Sequence, residues 1–402
     1  MMYMMKSAVF TASVLISGIC PAICPAQEIN DTAIFLEESY GKGSVMPRPD
    51  TVSLIFLGDV MLHARQIEES ASRYASRHGE TDAGDHYAFD FSAYFEDIQD
   101  SVSGADLAVA NMEFTLGGPP FTGYPAFSAP DGYAGYLAGC GIDIFLTANN
   151  HILDRGKAGV IRTMGKYADL GKSAGIMSTG TSVSPEQFRR ENPLTVDTCG
   201  MRISFVNFTY GTNVSVPGEY PKVNRAEKGQ IGHLMHKSEE NGADLTVVLP
   251  HWGEEYSTAH SEAQHEQAAW LAENGADIII GTHPHVVQDT ATIKVTLPDS
   301  TVKEVPVVYS LGNSVSNMSA PYTQIGLMVK VRAVKLMNRK VKILPIEYTY
   351  LWCSLPGRLK DTHTTIPVKA YIGKRHLWKM PYEYDKMIDS YLQVKRLTGI
   401  QD

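Results

Sequence analysis

The run Gly275-Ala276-Asp277-Ile278-Ile279-Ile280-Gly281-Thr282-His283-Pro284-His285 joins a turn, a short apolar strand and a cluster of polar side chains. A continuous apolar run of this length suits a strand buried on both faces. The same device occurs three more times. Gly104-Ala105-Asp106 leads through 107–110 to Asn111-Met112-Glu113, and Gly141-Ile142-Asp143 leads through 144–148 to Asn149-Asn150-His151. Gly242-Ala243-Asp244 leads through 245–249 to Pro250-His251-Trp252-Gly253. Upstream, the first strong strand, 52–57, ends in Gly58-Asp59.

Between these strands, 157–170 and 262–273 carry helical apolar spacing, the second through Ala269, Leu271 and Ala272. Strand and helix alternate, which predicts an α/β core. Residues 64–100, rich in charge and aromatics, read as a helical insertion between the first two strands. From 326 to 351 the pattern turns β-rich around Met337-Asn338-Arg339-Lys340, which predicts a hairpin closing a second sheet. Residues 352–402 read as a C-terminal appendage with a terminal helix near 382–396, and 51–351 as the main domain.

With 402 residues, 44% of them hydrophobic, the chain can bury a full core. Its formal net charge of −9 argues against a nucleic-acid partner. Residues 1–26 contain one charge, Lys6, then an apolar run ending in Cys24-Pro25-Ala26, the pattern of a signal peptide cleaved near Ala26. Residues 27–50 form a lead-in. The expected location is extracytoplasmic, periplasmic or secreted, with a lipid anchor on Cys20 or Cys24 as the alternative; Ile19 and Ile23 precede those cysteines where a small residue belongs. Beyond the leader only Cys140, Cys199 and Cys353 remain, so packing rather than a disulfide framework must hold the fold.

In open α/β sheets ligands collect at the carboxyl ends of strands. Here those ends supply Asp59, Asn111 and Glu113, Asn150 and His151, His251, and His283 and His285. Oxygen and imidazole donors without thiolate suit Mn, Fe or Zn, so the chain is expected to hold one or two divalent metal ions. Each residue alone has an ordinary reading as a helix cap or a satisfied strand-end histidine. Five strands each followed at once by a metal-competent side chain do not.

Six motifs in order, Gly58-Asp59-Val60-Met61, Ala110-Asn111-Met112-Glu113, Asn149 to Gly156, His251 to Tyr256, His283 to Gln288 and Tyr309-Ser310-Leu311-Gly312-Asn313, resemble the CapA-type poly-γ-glutamate (capsule) biosynthesis family of the calcineurin-like metallophosphoesterase superfamily. The resemblance covers about residues 52–350. It implies a four-layer α/β/β/α sandwich of two mixed β-sheets flanked by helices, with two metals at the strand ends. It also implies that Glu113 bridges the metals, that Asn150, His251 and His283 ligate one of them, and that Asp59 and His285 ligate the other. His151 stands where the superfamily places a histidine that serves the leaving group, with Asp154 three residues on to orient it.

Two departures stand out: Met61 occupies a position where a histidine ligand is usual, and Glu113 is one methylene longer than the usual Asp. His63 is a candidate substitute ligand if the turn allows. Trp252 and Tyr256 either line a groove or pack beside a strand. Glu254 and Glu255 either support a histidine ligand or form a solvated pair, and Ser310 and Asn313 suggest support behind the ligands. The implied function is a metal-dependent hydrolase of a phosphoester or related bond in capsule polymer synthesis, or alternatively a non-catalytic binder of a polyanion. Expected partners are an anionic polymer such as poly-γ-glutamate or a phosphorylated substrate, and a membrane synthesis complex.

Overall fold

The computed structural model describes residues 50–402 apart from 81, 83 and 337–339. The leader at 1–26, the lead-in up to residue 49 and the turn at Met337-Asn338-Arg339 therefore lie outside the described residues. The chain runs β1 (Asp50–Val60), α1 (Ala64–His78), α2 (Gln99–Ser103), β2 (Leu107–Met112), α3 (Asp131–Gly139), β3 (Ile144–Leu146), α4 (Gly156–Ala174) and β4 (Met177–Thr179). It continues through β5 (Thr181–Ser182), α5 (Pro185–Glu191), β6 (Leu194–Thr198), β7 (Met201–Thr209), β8 (Lys222–Val223), α6 (Lys228–Glu240), β9 (Leu245–His251), α7 (Glu262–Glu273) and β10 (Ile278–Ile280). The last part holds β11 (Thr290–Thr296), β12 (Val302–Val308), β13 (Asn313–Val315), β14 (Ile325–Lys335), β15 (Val341–Ile343), β16 (Glu347–Ser354), β17 (Thr364–Pro367), α8 (Val368–Tyr371) and α9 (Pro381–Thr398).

Two large mixed sheets and a two-stranded antiparallel pair, β5–β8, result. One has the order β17-β16-β14-β1-β2-β3-β4, with β13 also on β1 and β15 on β14; the other has the order β11-β12-β10-β9-β7-β6. The buried side chains sort by strand parity into three layers, as alternation across a pleated strand requires. Val52, Leu54 and Phe56 of β1 share one core with Leu245, Val247 and Leu249 of β9 and with Ile278 and Ile280 of β10. Ile55 and Leu57 face the other way, into a core with Leu137 of α3 and Val160 and Met164 of α4. Val248 and Ile279 face a third core with Ile231 and Leu234 of α6 and Ala268 and Leu271 of α7. Helices, sheet, sheet, helices is the four-layer α/β/β/α sandwich.

The repeated aspartates explain the register. Asp106, Asp143, Asp244 and Asp277 each accept the backbone N–H of a residue on the preceding parallel strand, Ser53 at 2.8 Å, Ala108 at 2.7 Å, Arg202 at 2.9 Å and Thr246 at 2.7 Å. Each aspartate also donates its own N–H to the carbonyl of that same residue, at 2.7–3.0 Å. This two-point clamp locks the amino ends of β1–β2–β3 and of β7–β9–β10, so their carboxyl ends emerge level.

Two expectations need correction. The β-rich segment near 326–351 does not close a second sheet: β14 pairs antiparallel with β1 from Asp50↔Lys335 to Leu57↔Met328, which extends the first sheet. The stretch 64–100 is helical only at its ends, in α1 and the start of α2; between them Phe91, Tyr94 and Phe95 are buried in loop structure on the outer core. The segment 352–402 finishes β16, adds the edge strand β17, and lays Trp378, Met387, Tyr391 and Val394 into the inter-sheet core. No helix among the described residues is long and apolar enough to cross a membrane.

Candidate metal centre

Close backbone approach sets the carboxyl end of β1. A Cβ on Gly58 would lie 2.0 Å from the Gly312 carbonyl oxygen, and the next N–H, that of Asp59, donates to that same oxygen at 2.9 Å. Asp59 thereby faces Asn111 of β2 and Asn313 of β13. Glu113 follows β2, with its N–H on the Val60 carbonyl at 3.0 Å. His251 ends β9, while His283 and His285 follow β10 with φ of 104° and 60°. Positive φ is uncommon for residues with a Cβ and costs on the order of 1–3 kcal/mol, a strain that gathers at functional sites.

These side chains converge in a buried cluster. Ligand atoms of Glu113, His283 and His285 lie within 4.8 Å of one another, as do those of Asp59, Glu113 and His251. Glu113 belongs to both trios, the place of a bridging carboxylate. Relative to the division that the resemblance implies, the trios exchange His251 and His285. In this arrangement His285 Nδ1 stands 3.2 Å from Asp59 Oδ2 and its Nε2 3.7 Å from Glu113 Oε1. Asn150 joins through His251: its Oδ1 is 2.9 Å from His251 Nε2, so two prospective ligand atoms meet each other.

The donor set fits a cation. Glu113 Oε1 and His283 Nδ1 are buried with no hydrogen-bond partner, a costly state that a metal would relieve. Burial, reinforced by the other imidazoles, pushes His251 well below its ordinary pKa. His283 is driven down to about 3, again chiefly by burial, so both imidazoles are neutral. Burial and the neighbouring Asp59 charge hold Glu113 well above the usual carboxylate range. Burial alone would raise Asp59 and lower His285, but their mutual hydrogen bond and charge reverse both, leaving Asp59 lowered and His285 raised. Metal uptake should therefore displace protons from Glu113 and His285, and apparent affinity should rise with pH until both groups have lost them. Calorimetric titration in buffers of different ionisation heat reads this directly; zero proton release would contradict a protonated Glu113.

Beside the cluster, outside both trios, His151 Nδ1 meets Asp154 Oδ2 at 2.7 Å. Asp154 also accepts the Phe127 N–H at 2.8 Å, and the Phe127 ring packs edge-on against His151 at 4.7 Å. The imidazole is thus held in one orientation, with Asn213 Nδ2 at 3.4 Å and 3.5 Å from its ring nitrogens.

Met61 is buried in the outer core and supplies no ligand. His63 is not in either trio: it caps α1 with Gln66, its Nδ1 accepts the Asn317 N–H at 3.2 Å, and burial lowers its pKa to about 4. Trp252 is packing, its indole N–H on the Tyr309 carbonyl at 2.9 Å. Glu254 and Glu255 are exposed. The groups on the histidine rings are instead Thr282, 3.0 Å from His251 Nδ1, and Asn313, 3.1 Å from His285 Nδ1. Ser310 braces the turn, donating to the Val286 carbonyl at 2.8 Å. Asn111 acts as a strut, its amide donating to Asp59 at 2.7 Å and to Glu113 at 3.3 Å, with Asn149 behind it. Sequence reasoning missed Thr282 and Asn207. Asn207 accepts the N–H groups of Thr147 and Ala148 and donates to the Leu249 carbonyl, tying β3 to β9. A lone Asn between Val206 and Phe208 in an apolar strand was its signal.

A buried carboxylate–imidazole cluster thus stands at the carboxyl ends of two mixed sheets. The chain belongs to the bacterial capsule synthesis protein family PGA_cap, whose model matches residues 53–318. It is 29% identical over 206 residues to the PGA biosynthesis protein CapA of Bacillus subtilis (strain 168), covering 50% of each chain. It is 28% identical over 283 residues to the capsule biosynthesis protein CapA of Bacillus anthracis, covering 70% of this chain and 64% of that one. The chain thus spans between half and two thirds of the length of these relatives. Among solved structures it is similar to a 5'-nucleotidase precursor from Thermus thermophilus, at 15% identity and a TM-score of 0.41, covering 85% of this chain and 58% of that one. The sulfate thiohydrolase SoxB of Thermus thermophilus is similar at 12% identity and a TM-score of 0.41, covering 88% and 62%.

Proposed function

We propose that this protein is an extracytoplasmic, metal-dependent hydrolase of a phosphoester or related bond, acting in poly-γ-glutamate or capsule polymer synthesis. The process follows from family membership; the reaction rests on one observation, the His151–Asp154 pair beside the buried cluster. Asp59, Glu113, Asn150, His251, His283 and His285 would hold one or two divalent ions, Mn, Fe or Zn. Such ions supply Lewis acidity and an activated water at neutral pH. Asp154 takes the hydrogen bond from His151 Nδ1, so the proton that His151 delivers to the leaving oxygen is the one on Nε2. Cleavage of the leader near Ala26 would place the folded domain outside the cytoplasm, where a membrane synthesis complex would be its partner.

A second reading, a non-catalytic polyanion binder, is favoured by Met61: its side chain lies in the core, so position 61 adds no ligand to the Asp59 side where the resemblance implies a histidine. His151→Ala separates the two. The variant is expected to keep its metal and lose about 10²–10⁴-fold in turnover of phosphomonoester or phosphodiester substrates. Metal retained by wild type with no turnover of phosphoester or γ-glutamyl substrates would sink the hydrolase and leave the binder.

A further inference from the structure

Along the carboxyl edge of the second sheet, Arg225 stands in line with the centre. Thr209, at the end of β7, pairs with His251 on one side and bridges to Arg225 on the other. Two strand spacings of about 4.8 Å put the Arg225 backbone about 10 Å from that of His251. The Arg225 side chain turns onto the connection that leaves β7, where its Nη2 donates to Thr212 Oγ1 at 2.6 Å. On the same connection Tyr210 lays its ring 4.5 Å from that of His283, and Asn213 donates its N–H to the Asn150 carbonyl at 2.8 Å. One short loop, 210–213, therefore touches the prospective ligands on one side and Arg225 on the other.

Arg225 also lines a groove of about 520 Å³, together with Lys222, Phe188, Glu227 and His233. The Lys222 ammonium rests over the Phe188 ring at 4.3 Å, which positions it without neutralising it. Among the described residues neither Lys222 nor Arg225 is in an ion pair; their polar and aromatic partners leave both charges unspent. The one carboxylate on the groove wall is that of Glu227, exposed at the start of α6, so the wall carries net positive charge in a chain whose formal net charge is −9. Fixed cations on a concave wall attract anions, and the planar guanidinium fork matches a carboxylate. The groove has the room of a small-ligand site rather than of a single ion. One carboxylate cannot reach across about 10 Å to touch Arg225 and the centre together. A chain with a carboxylate on every repeat can place one group at divalent ions in the centre and another on Lys222 and Arg225.

We propose that the Lys222–Arg225 groove is a subsite for the carboxylates of an acidic polymer whose neighbouring repeat lies at the metal centre. The inference rests on the anionic-polymer part of the proposed function, which the hydrolase and the binder share. Its test measures binding of fluorescently labelled poly-γ-glutamate to the metal-loaded full chain by anisotropy. Lys222→Gln and Arg225→Gln should each weaken binding about tenfold, the loss of one charge-assisted hydrogen bond, with metal content unchanged. Lys172→Gln is the control for overall charge: Lys172 is exposed near the end of α4, on the amino side of the strands, and its loss should leave affinity nearly unchanged. If Arg225→Gln also loses metal, Lys222→Gln, whose ammonium rests only on an aromatic face, carries the decision. Polymer bound by wild type and equally well by Lys222→Gln overturns the groove and leaves the polymer reading standing. Equal weakening by Lys172→Gln reduces the effect to bulk charge and likewise overturns the groove. No binding of the polymer by wild type overturns the polymer reading, and the groove with it.

Discussion

Glu113→Gln is expected to empty the centre while making the metal-free protein more tolerant of alkaline pH. Both ligand trios contain Glu113, so one substitution removes a donor from each. Loss of groups that merely support a ligand costs about 10–100-fold in affinity, and loss of a shared ligand costs more. Metal content of the purified variant should fall below about a tenth of wild type, and turnover with it. The stability effect has the opposite sign. Glu113 is held protonated in the metal-free fold, so the folded state binds one more proton than the unfolded state above the ordinary carboxylate pKa of 4.5. Stability from that group is present below 4.5 and lost as pH rises towards the raised value. Glutamine mimics the neutral acid and removes this loss. Thermal melts of metal-stripped protein at pH 8 should place the variant above wild type, and added metal should raise only the wild-type Tm. A variant that retains full metal would contradict the shared-ligand assignment.

Gly58→Ala is expected to be severely destabilising. The added Cβ would meet the Gly312 carbonyl oxygen at 2.0 Å and the carbonyl carbon at 3.0 Å, both backbone atoms. Gly312 cannot yield, because a Cβ there would lie 2.8 Å from the Ile325 carbonyl oxygen and its φ of 65° marks a tight turn. Overpacking of this kind costs about 1–3 kcal/mol when side chains can move, and more than about 3 kcal/mol is expected where only backbone can. Displacing β1 also displaces Asp59, so metal content should fall together with stability. Gly135→Ala in α3 is the matched control: nothing lies within 4 Å of its Cβ, and the helix should gain up to about 1 kcal/mol. Urea unfolding of the two variants distinguishes them, and equal midpoints would refute the close-approach argument.

The parts of this structure legible in the sequence share a local signature. Strands such as Ile278–Ile280 are continuous apolar runs bounded by turn residues, and the side chains that matter follow them at once. Donors such as Asp59 and His283 could therefore be picked out without knowing which strands are neighbours. What escaped depends on pairing between distant segments. Periodicity identifies β14 as a strand but says nothing of its partner, so its addition to β1 was not readable. Thr282 looks like any residue between a strand and a ligand until the fold brings it against His251, 31 positions away. The aromatics at 89–95 have no period because their packing is set by a loop around α3 and β2, where Phe91 meets Tyr133 at 4.8 Å.

The aspartate clamps carry a consequence for how such a protein can change. Register in parallel strands is set at the amino ends, by Asp106, Asp143, Asp244 and Asp277, whereas the ligands stand at the carboxyl ends. A one-residue slip would turn every side chain to the opposite face, and the clamps oppose that slip without involving any ligand. Architecture and chemistry are therefore inherited through separate sets of residues. A substitution such as methionine at position 61 can retire one ligand and leave the scaffold intact, so new chemistry can be tried at one edge of the sheets while the other keeps their geometry.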